Sequence, residues 1–279
     1  MFKIVTDSTA GLPQAMIREH DIRIVPLYVH FGRQAFKEGI DITNEQFYAR
    51  LRATAALPTT SQPSAGEFHE VFKELTDAGH EVVALTISSK LSGTWTSAMA
   101  ALDMLPGAPI SVVDSLCTSL ALYLLVESAL QQIAAGATRE QVAAHLEQLK
   151  GQLYILFVVD TLEYLAKGGR IGNAKAFMGT LIKIKPLLIL ENGLIEPCEQ
   201  IRSKTKAVAR MLELVEQKLA DQGAQAHVAI AHGMALDEAL AFRKQVVARL
   251  GCAEPPISEV GAVLGTHTGP GVVAIAAYV

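Results

Sequence analysis

The chain has 279 residues, 50% of them hydrophobic and only 19% charged, with a formal net charge of −4. That length allows a large core and two domains. The charge, with no basic stretch, argues against nucleic acid as main partner, and the want of a Lys/Arg-rich amphipathic helix argues against a membrane-surface role.

In chain order, residues 2–7 read as a short strand ending in the polar Thr6-Asp7-Ser8, and 12–19 as a helix. Residues 23–28 form a second apolar run; 31–40 read as an irregular or hairpin segment with Gly32 and Gly39 as turn residues. Thr43 with Gln46 and Ser64 with Glu67 form capping boxes, opening one helix at Asn44 and another that runs to about Asp77. A Val-rich buried strand over 81–87 follows. Ser92 then opens a helix to about Met104, and 110–114 is the next strand. Two helices, 118–135 and 138–150, close this half, the second with a Thr138/Gln141 box. Apolar, non-alternating strands between helices signal a parallel sheet covered on both faces. Ligands bind outside the carboxyl ends of such strands, so Asp7-Ser8, Ser88-Ser89 and Asp114-Ser115 mark one rim.

The second half begins with a strand over 153–160. Asp160 and Glu163 cap a short helix that stops at Gly168-Gly169. Runs 185–190 and 194–201 flank Asn192-Gly193, a strong hairpin signal. A helix from Ser203 to about Ala220, a strand 227–231, a helix 236–250 and strands 257–260 and 272–279 complete the chain. Hairpin plus crossovers predict a mixed-sheet α+β domain. The expected division is an N-terminal α/β domain over 1–151 and a C-terminal α+β domain over 152–279.

Four polar clusters interrupt the apolar background: PTTSQPS at 58–64, SSKLSGT at 88–94, LAKGGRIG at 165–172 and GTHTGPG at 265–271. They supply hydroxyls, glycine backbone, one arginine and one histidine, and no carboxylate. That set suits holding an anion beside apolar surface. Each cluster also has a plainer reading. Ser92 is either an ordinary N-cap or the start of an anion site formed with the Gly93 and Thr94 amides. Thr59, Thr60 and Ser61 either form a polar loop or line a site. Gly168-Gly169 either ends a helix or presents Arg170 to an acid. His267, in a loop between two threonines and three glycines, stands where backbone approaches a ligand closely.

The three cysteines, Cys117, Cys198 and Cys252, are scattered without a C-x-x-C pair, so they predict buried reduced thiols and no metal site. MFKIVTDS lacks the pattern of a secretory leader. Apolar runs such as 120–126 and 153–159 fall short of the roughly 20 residues a bilayer needs. A soluble, cytoplasmic protein is expected. No P-loop, G-x-G-x-x-G turn, G-x-S-x-G elbow or H-E-x-x-H is present. The chain is therefore not expected to catalyse a reaction alone, and no catalytic residue is assigned. Two alternatives stand beside a lipid-binding reading. One is a serine-dependent esterase or acyltransferase with Ser92 as nucleophile and His267 as base. The other is a sugar-phosphate or nucleotide-binding module.

These clusters, with TDS at 6–8, EGIDI at 38–42, VDS at 113–115 and DTLEYLAKGGRI at 160–171, resemble the DegV family from end to end. Its characterised members are the fatty-acid-binding subunits of bacterial fatty acid kinase. The resemblance implies two α/β domains with one long-chain fatty acid between them and no other cofactor. It implies that Thr60 and Ser92 bond the carboxylate, with Arg170 and His267 completing the network. The Gly93 and Thr94 amides would lie alongside, and Ser61 and Thr266 are further candidates. It also implies a partner, a dihydroxyacetone-kinase-like subunit that phosphorylates the bound acid to an acyl phosphate for phospholipid synthesis. Lys90 departs from the glycine common at its position in relatives. Helices 118–135 and 174–182 either line the acyl tunnel or belong to solid core, which periodicity does not separate.

Overall fold

The computed structural model describes residues 2–54, 56–179 and 184–279. Its first sheet is wholly parallel, in the order β2 (Arg23–Val25), β1 (Phe2–Asp7), β6 (Glu81–Thr86), β7 (Ile110–Asp114). Ile4, Val5 and Val82 to Leu85 are buried, as strands covered on both faces require. The chain leaves β1 toward β2 on one side and β6 on the other, so the strand order reverses at the β1/β6 junction. Asp7 closes that junction. Its carboxylate accepts from the Thr9 amide (2.9 Å), the Thr9 hydroxyl (2.6 Å) and the Ile87 amide (2.6 Å).

The second sheet has six strands: β10 (Leu194–Ile201), β9 (Lys185–Glu191), β8 (Tyr154–Val158), β13 (Val273–Tyr278), β11 (His227–His232) and β12 (Ile257–Glu259). All neighbours are antiparallel except β11 and β12. The Asn192-Gly193 turn forms the expected hairpin, with both residues at positive φ. Its register shifts between Pro197 and Glu199, where proline offers no amide to the ladder. The protein thus joins a parallel-sheet α/β domain to a mixed-sheet domain.

All three capping boxes form, opening α2 (Asn44–Ala53), α3 (Ala65–Asp77) and α6 (Arg139–Leu149). A short helix α1 (Gln14–Glu19) precedes β2; α8 (Lys204–Leu219) and α9 (Leu236–Leu250) pack on the six-stranded sheet. Helix α5 (Leu120–Ala134) is buried at every position from Leu120 to Val126, because it packs against β6 on one side and β11 and β13 on the other. A helix apolar all round belongs between two layers.

Four local expectations are corrected. The 23–28 run is two strands, since Pro26 breaks it: β2 stays in the parallel sheet, while β3 (Tyr28–Phe31) joins β4 (Gln34–Lys37) and β5 (Thr59–Ser61) in a third sheet. Ser92 is not a helix cap. Helix α4 (Thr94–Asp103) has Gly93 at its cap with no side-chain cap bond, and the Ser92 amide bonds the Ser88 carbonyl at 3.1 Å, one turn earlier. Asp160 does not cap α7 (Glu163–Lys167). Thr161 Oγ1 accepts from the Glu163 amide instead, while Asp160 pairs with Lys185 at 2.7 Å. Finally, 265–268 is not loop but the end of helix α10 (Ala262–Thr268). Gly265 serves close packing there: a Cβ would stand 2.8 Å from both the Phe47 ring and the Tyr48 hydroxyl.

Candidate functional site

A cavity lies between the two domains, enclosing about 950 Å³ with its open mouth included. Ile155, Phe157, Leu190, Ile195 and Ala274 of the six-stranded sheet form one wall. Ile87 and Leu91 after β6, Leu120 at the start of α5, and Val263 and Leu264 of α10 form the others. Against this apolar lining, Thr60, Ser61, Ser92, Arg170 and His267 also face the same cavity. Residues drawn from four distant sequence clusters therefore meet in one place.

Each reaches it through a different element. Strand pairing of Thr60 with Val29 fixes β5 against β3. Ser92 rides on the turn between β6 and α4. Arg170 follows the end of α7. Its Nη1 donates to the Gly168 carbonyl at 2.9 Å and its Nε to the Leu91 carbonyl at 3.3 Å, which pins an exposed guanidinium across the two domains. His267 comes from the last turn of α10 and is 9% exposed.

The Thr60–His267 pair orders the polar end. Thr60 Oγ1 and His267 Nε2 stand 2.9 Å apart. Burial, helped by the nearby Arg170 charge, pushes the His267 imidazole down to about 4, so the ring is neutral near pH 7. Its Nδ1 is buried without a partner, against the Gly168 backbone, where a Cβ would lie 2.2 Å away. A bare ring nitrogen tolerates that environment better than an N–H with no acceptor. The proton therefore sits on Nε2, His267 donates to Thr60, and the Thr60 hydroxyl keeps its own hydrogen for the cavity.

Ser61 Oγ is paired with His30 Nε2 at 2.8 Å, and Ser92 Oγ with Thr94 Oγ1 at 2.9 Å. Neither Gly93 nor Thr94 lies in the cavity wall. Thr94 is fully buried, and Gly93 is glycine for space, since a Cβ would meet the Gln62 amide at 2.5 Å. Thr266 also points elsewhere, its hydroxyl donating to the Ala262 carbonyl at 2.9 Å. Lys90 is outside the wall as well; its side chain lies over Gly193 at the hairpin turn. Of the two helices that stood between tunnel lining and core, α5 contributes to the wall at Leu120, preceded by Thr118 and Ser119. The second falls as a 3-10 turn over Gly172–Phe177, and 180–182 lie outside the described residues.

Sequence reasoning missed Gln62 and Thr268 and offered Thr118 and Ser119 only as part of a candidate lining helix; all four stand in the wall. Gln62 was within reach, since it sits inside the PTTSQPS cluster. Ser119 carries a signal visible only in three dimensions: a φ of 55 in a non-glycine residue, the kind of strain found beside binding sites.

Chemically, the arrangement can hold an anion with a long apolar tail. Arg170 is the only charged residue of the wall among the described residues. Ser92 and His267 are engaged with Thr94 and Thr60 rather than with each other, so the pair lacks the geometry of an activated nucleophile. No group of three His, Cys, Asp or Glu side chains placed to hold a metal occurs among the described residues. Among them, too, no helix is long and apolar enough to cross a membrane.

The family model described as "Uncharacterised protein, DegV family" matches residues 1–279. Protein DegV of Bacillus subtilis is 36% identical over 273 residues, covering 98% of this chain and 97% of that protein. Two solved structures share the whole architecture. A DegV family protein from Thermus thermophilus, described by its fatty acid binding, superposes with a TM-score of 0.93 at 36% identity over 99% of both chains. A stearic acid-binding protein from Eubacterium ventriosum superposes with a TM-score of 0.94 at 31% identity, over 100% of this chain and 98% of that one.

Proposed function

The chain belongs to the DegV family, and we propose that it binds one long-chain fatty acid in the interdomain cavity and presents the carboxylate to a partner kinase. One observation carries this reading: Thr60, Ser61, Ser92, Arg170 and His267 converge at an otherwise apolar cavity. The solved relatives described as fatty-acid-binding have the same fold.

The energetics divide between tail and head. Each buried methylene contributes ~0.8 kcal/mol, so a long tail supplies on the order of 10 kcal/mol before ordering costs. A hydrogen bond to a charged group adds only about 1.5–3 kcal/mol. The tail therefore sets affinity and the head sets orientation. Thr60 donates to the carboxylate because His267 occupies its lone pair, Ser92 supplies a second hydroxyl, and Arg170 lends charge at the mouth. Hydroxyl donors leave the head accessible and accept either a carboxylate or the acyl phosphate formed from it. The phosphoryl donor and its nucleotide site belong to a separate kinase subunit. This chain supplies binding and orientation.

Organic extraction and mass spectrometry of the purified protein should find one fatty acid per chain. Protein that is repeatedly empty and ignores added oleate and palmitate would overturn the binding assignment. Acyl phosphate should form only when ATP and a cognate kinase subunit are added; turnover by the isolated chain, lost in Ser92→Ala, would overturn the division of labour.

A further inference from the structure

No residue of the EGIDI segment lines the cavity, yet Glu38 holds elements that do. Glu38 follows directly on β4 and is 6% exposed. Its Oε2 accepts from the Ser8 hydroxyl at 2.5 Å, and its Oε1 accepts from the Val263 amide at 2.8 Å, a partner 225 residues away. Ser8 stands just past the end of β1, and Val263 lies in the first turn of α10. Gly261, just before that helix, has no room for a side chain, because a Cβ would meet Glu38 Oε1 at 2.3 Å. The carboxylate is thus seated against α10 on one side and the parallel sheet on the other.

We propose that Glu38 is a positioning residue of this cavity: its carboxylate clamps α10 to the parallel-sheet domain and thereby fixes where His267 meets Thr60. The proposal rests on the fatty-acid reading above. His267 lies four residues after Val263, one helical turn along, so a shift of the first turn is carried to the ring. The other half of the pair is tied to the same residue. The Glu38 amide donates to the Leu27 carbonyl at 2.9 Å, the Leu27 amide donates to Ser8 Oγ at 3.0 Å, and β3, which pairs with Thr60, begins one residue later. Leu27 itself lines the cavity. Both partners of the Thr60–His267 bond are thus tied to Glu38, the His267 side through the carboxylate and the Thr60 side through its amide and through Ser8. A buried carboxylate is costly unless its hydrogen bonds are made, and a glutamate used only for packing would more simply be a leucine.

The test compares Glu38→Ala and Glu38→Gln in the full chain, reading oleate affinity, the His267 imidazole resonances, and hydrogen exchange of the α10 amides. Alanine should raise the oleate Kd about tenfold, the effect of losing roughly one charged hydrogen bond. It should also shift the His267 resonances and speed exchange over 262–268. Glutamine keeps an oxygen for the Val263 amide and should recover most of the loss. His267→Ala added to Glu38→Ala should cost little more, since the two act through one contact. An oleate Kd in Glu38→Ala within twofold of the wild type, equal losses for alanine and glutamine, or fully multiplicative losses in the double variant would each overturn the clamp. Should Glu38→Ala fail to fold, Ser8→Ala removes one partner of the carboxylate and must move the same readouts in the same direction. If wild-type protein binds no oleate, the fatty-acid reading falls; the clamp is then decided by the His267 resonances, which respond to Glu38→Ala without any ligand.

Discussion

At the residue scale, His267 decides the polarity of the site, and its state follows from burial. Its folded value lies below that of an exposed histidine, about 4 against 6.5. The sign follows directly: the unfolded chain binds the proton more readily, so stability is fully present above about pH 6.5 and is lost as pH falls toward 4. The shift is worth about 3 kcal/mol. Thermal unfolding at pH 7 and pH 4.5 should therefore differ less in His267→Gln than in the wild type, and NMR titration should find the ring neutral at pH 5.5. An imidazole that titrates near 6.5 would refute this. Gly168 packs against the same ring. Its φ suits any residue, yet Gly168→Ala would drive a methyl into His267 Nδ1 and close to the Tyr164 carbonyl. Overpacking of this kind costs about 1–3 kcal/mol. Calorimetry should show that loss, with weakened oleate binding; unchanged binding would mean the ring can move aside.

At the element scale, short connections set the rim. Asp7 ties β1 to the residue after β6 through the Ile87 amide, and the turn that follows carries Leu91 and Ser92 into the cavity. Burial raises its carboxyl above the usual range, against three hydrogen bonds that pull it down. Asp7→Ala strips acceptors from buried donors and should cost about 3 kcal/mol by chemical denaturation. The hairpin between β9 and β10 meets the same rim, where the Ser88 hydroxyl donates to the Gly193 carbonyl at 3.0 Å. Gly193 has a φ of 81, and a Cβ would lie 2.5 Å from Ser88 Oγ. Gly193→Ala combines backbone strain with that collision and should destabilise by more than about 1 kcal/mol. A Tm equal to wild type would show that the hairpin is not docked.

At the scale of the whole molecule, the cavity is the space left where two sheets meet across α5. Its ligand should stabilise the folded chain as a unit. At a free oleate concentration of 100 times Kd the gain is about 2.7 kcal/mol, which corresponds to a Tm rise of about 5 °C in a chain of this size. Differential scanning calorimetry of delipidated protein reads it directly, and glycerol or inorganic phosphate should leave the Tm unchanged.

Much of this architecture was legible in the sequence because its causes are local. Capping boxes satisfy amides within one helical turn, so Thr43, Ser64 and Thr138 announced their helices. Asn192-Gly193 fixed a hairpin because its φ preferences are intrinsic, and β-branched runs separated by helices gave the parallel sheet. The unusual composition of the four polar clusters marked Thr59, Thr60, Ser61, Ser92, Gly93, Thr94, Arg170 and His267 as candidates, and the family resemblance singled out Thr60 and Ser92 among them. What needed the tertiary structure was whatever depends on contacts distant in sequence. That Thr266 turns away from the cavity, that GTHT is helical rather than loop, and that Thr60 belongs to a strand follow from the Ala262 carbonyl, from Phe47 and Tyr48, and from Val29 standing against them. The choice of tautomer at His267 was also decided there. A ring nitrogen learns its protonation from its neighbours, and Thr60 lies 207 residues away.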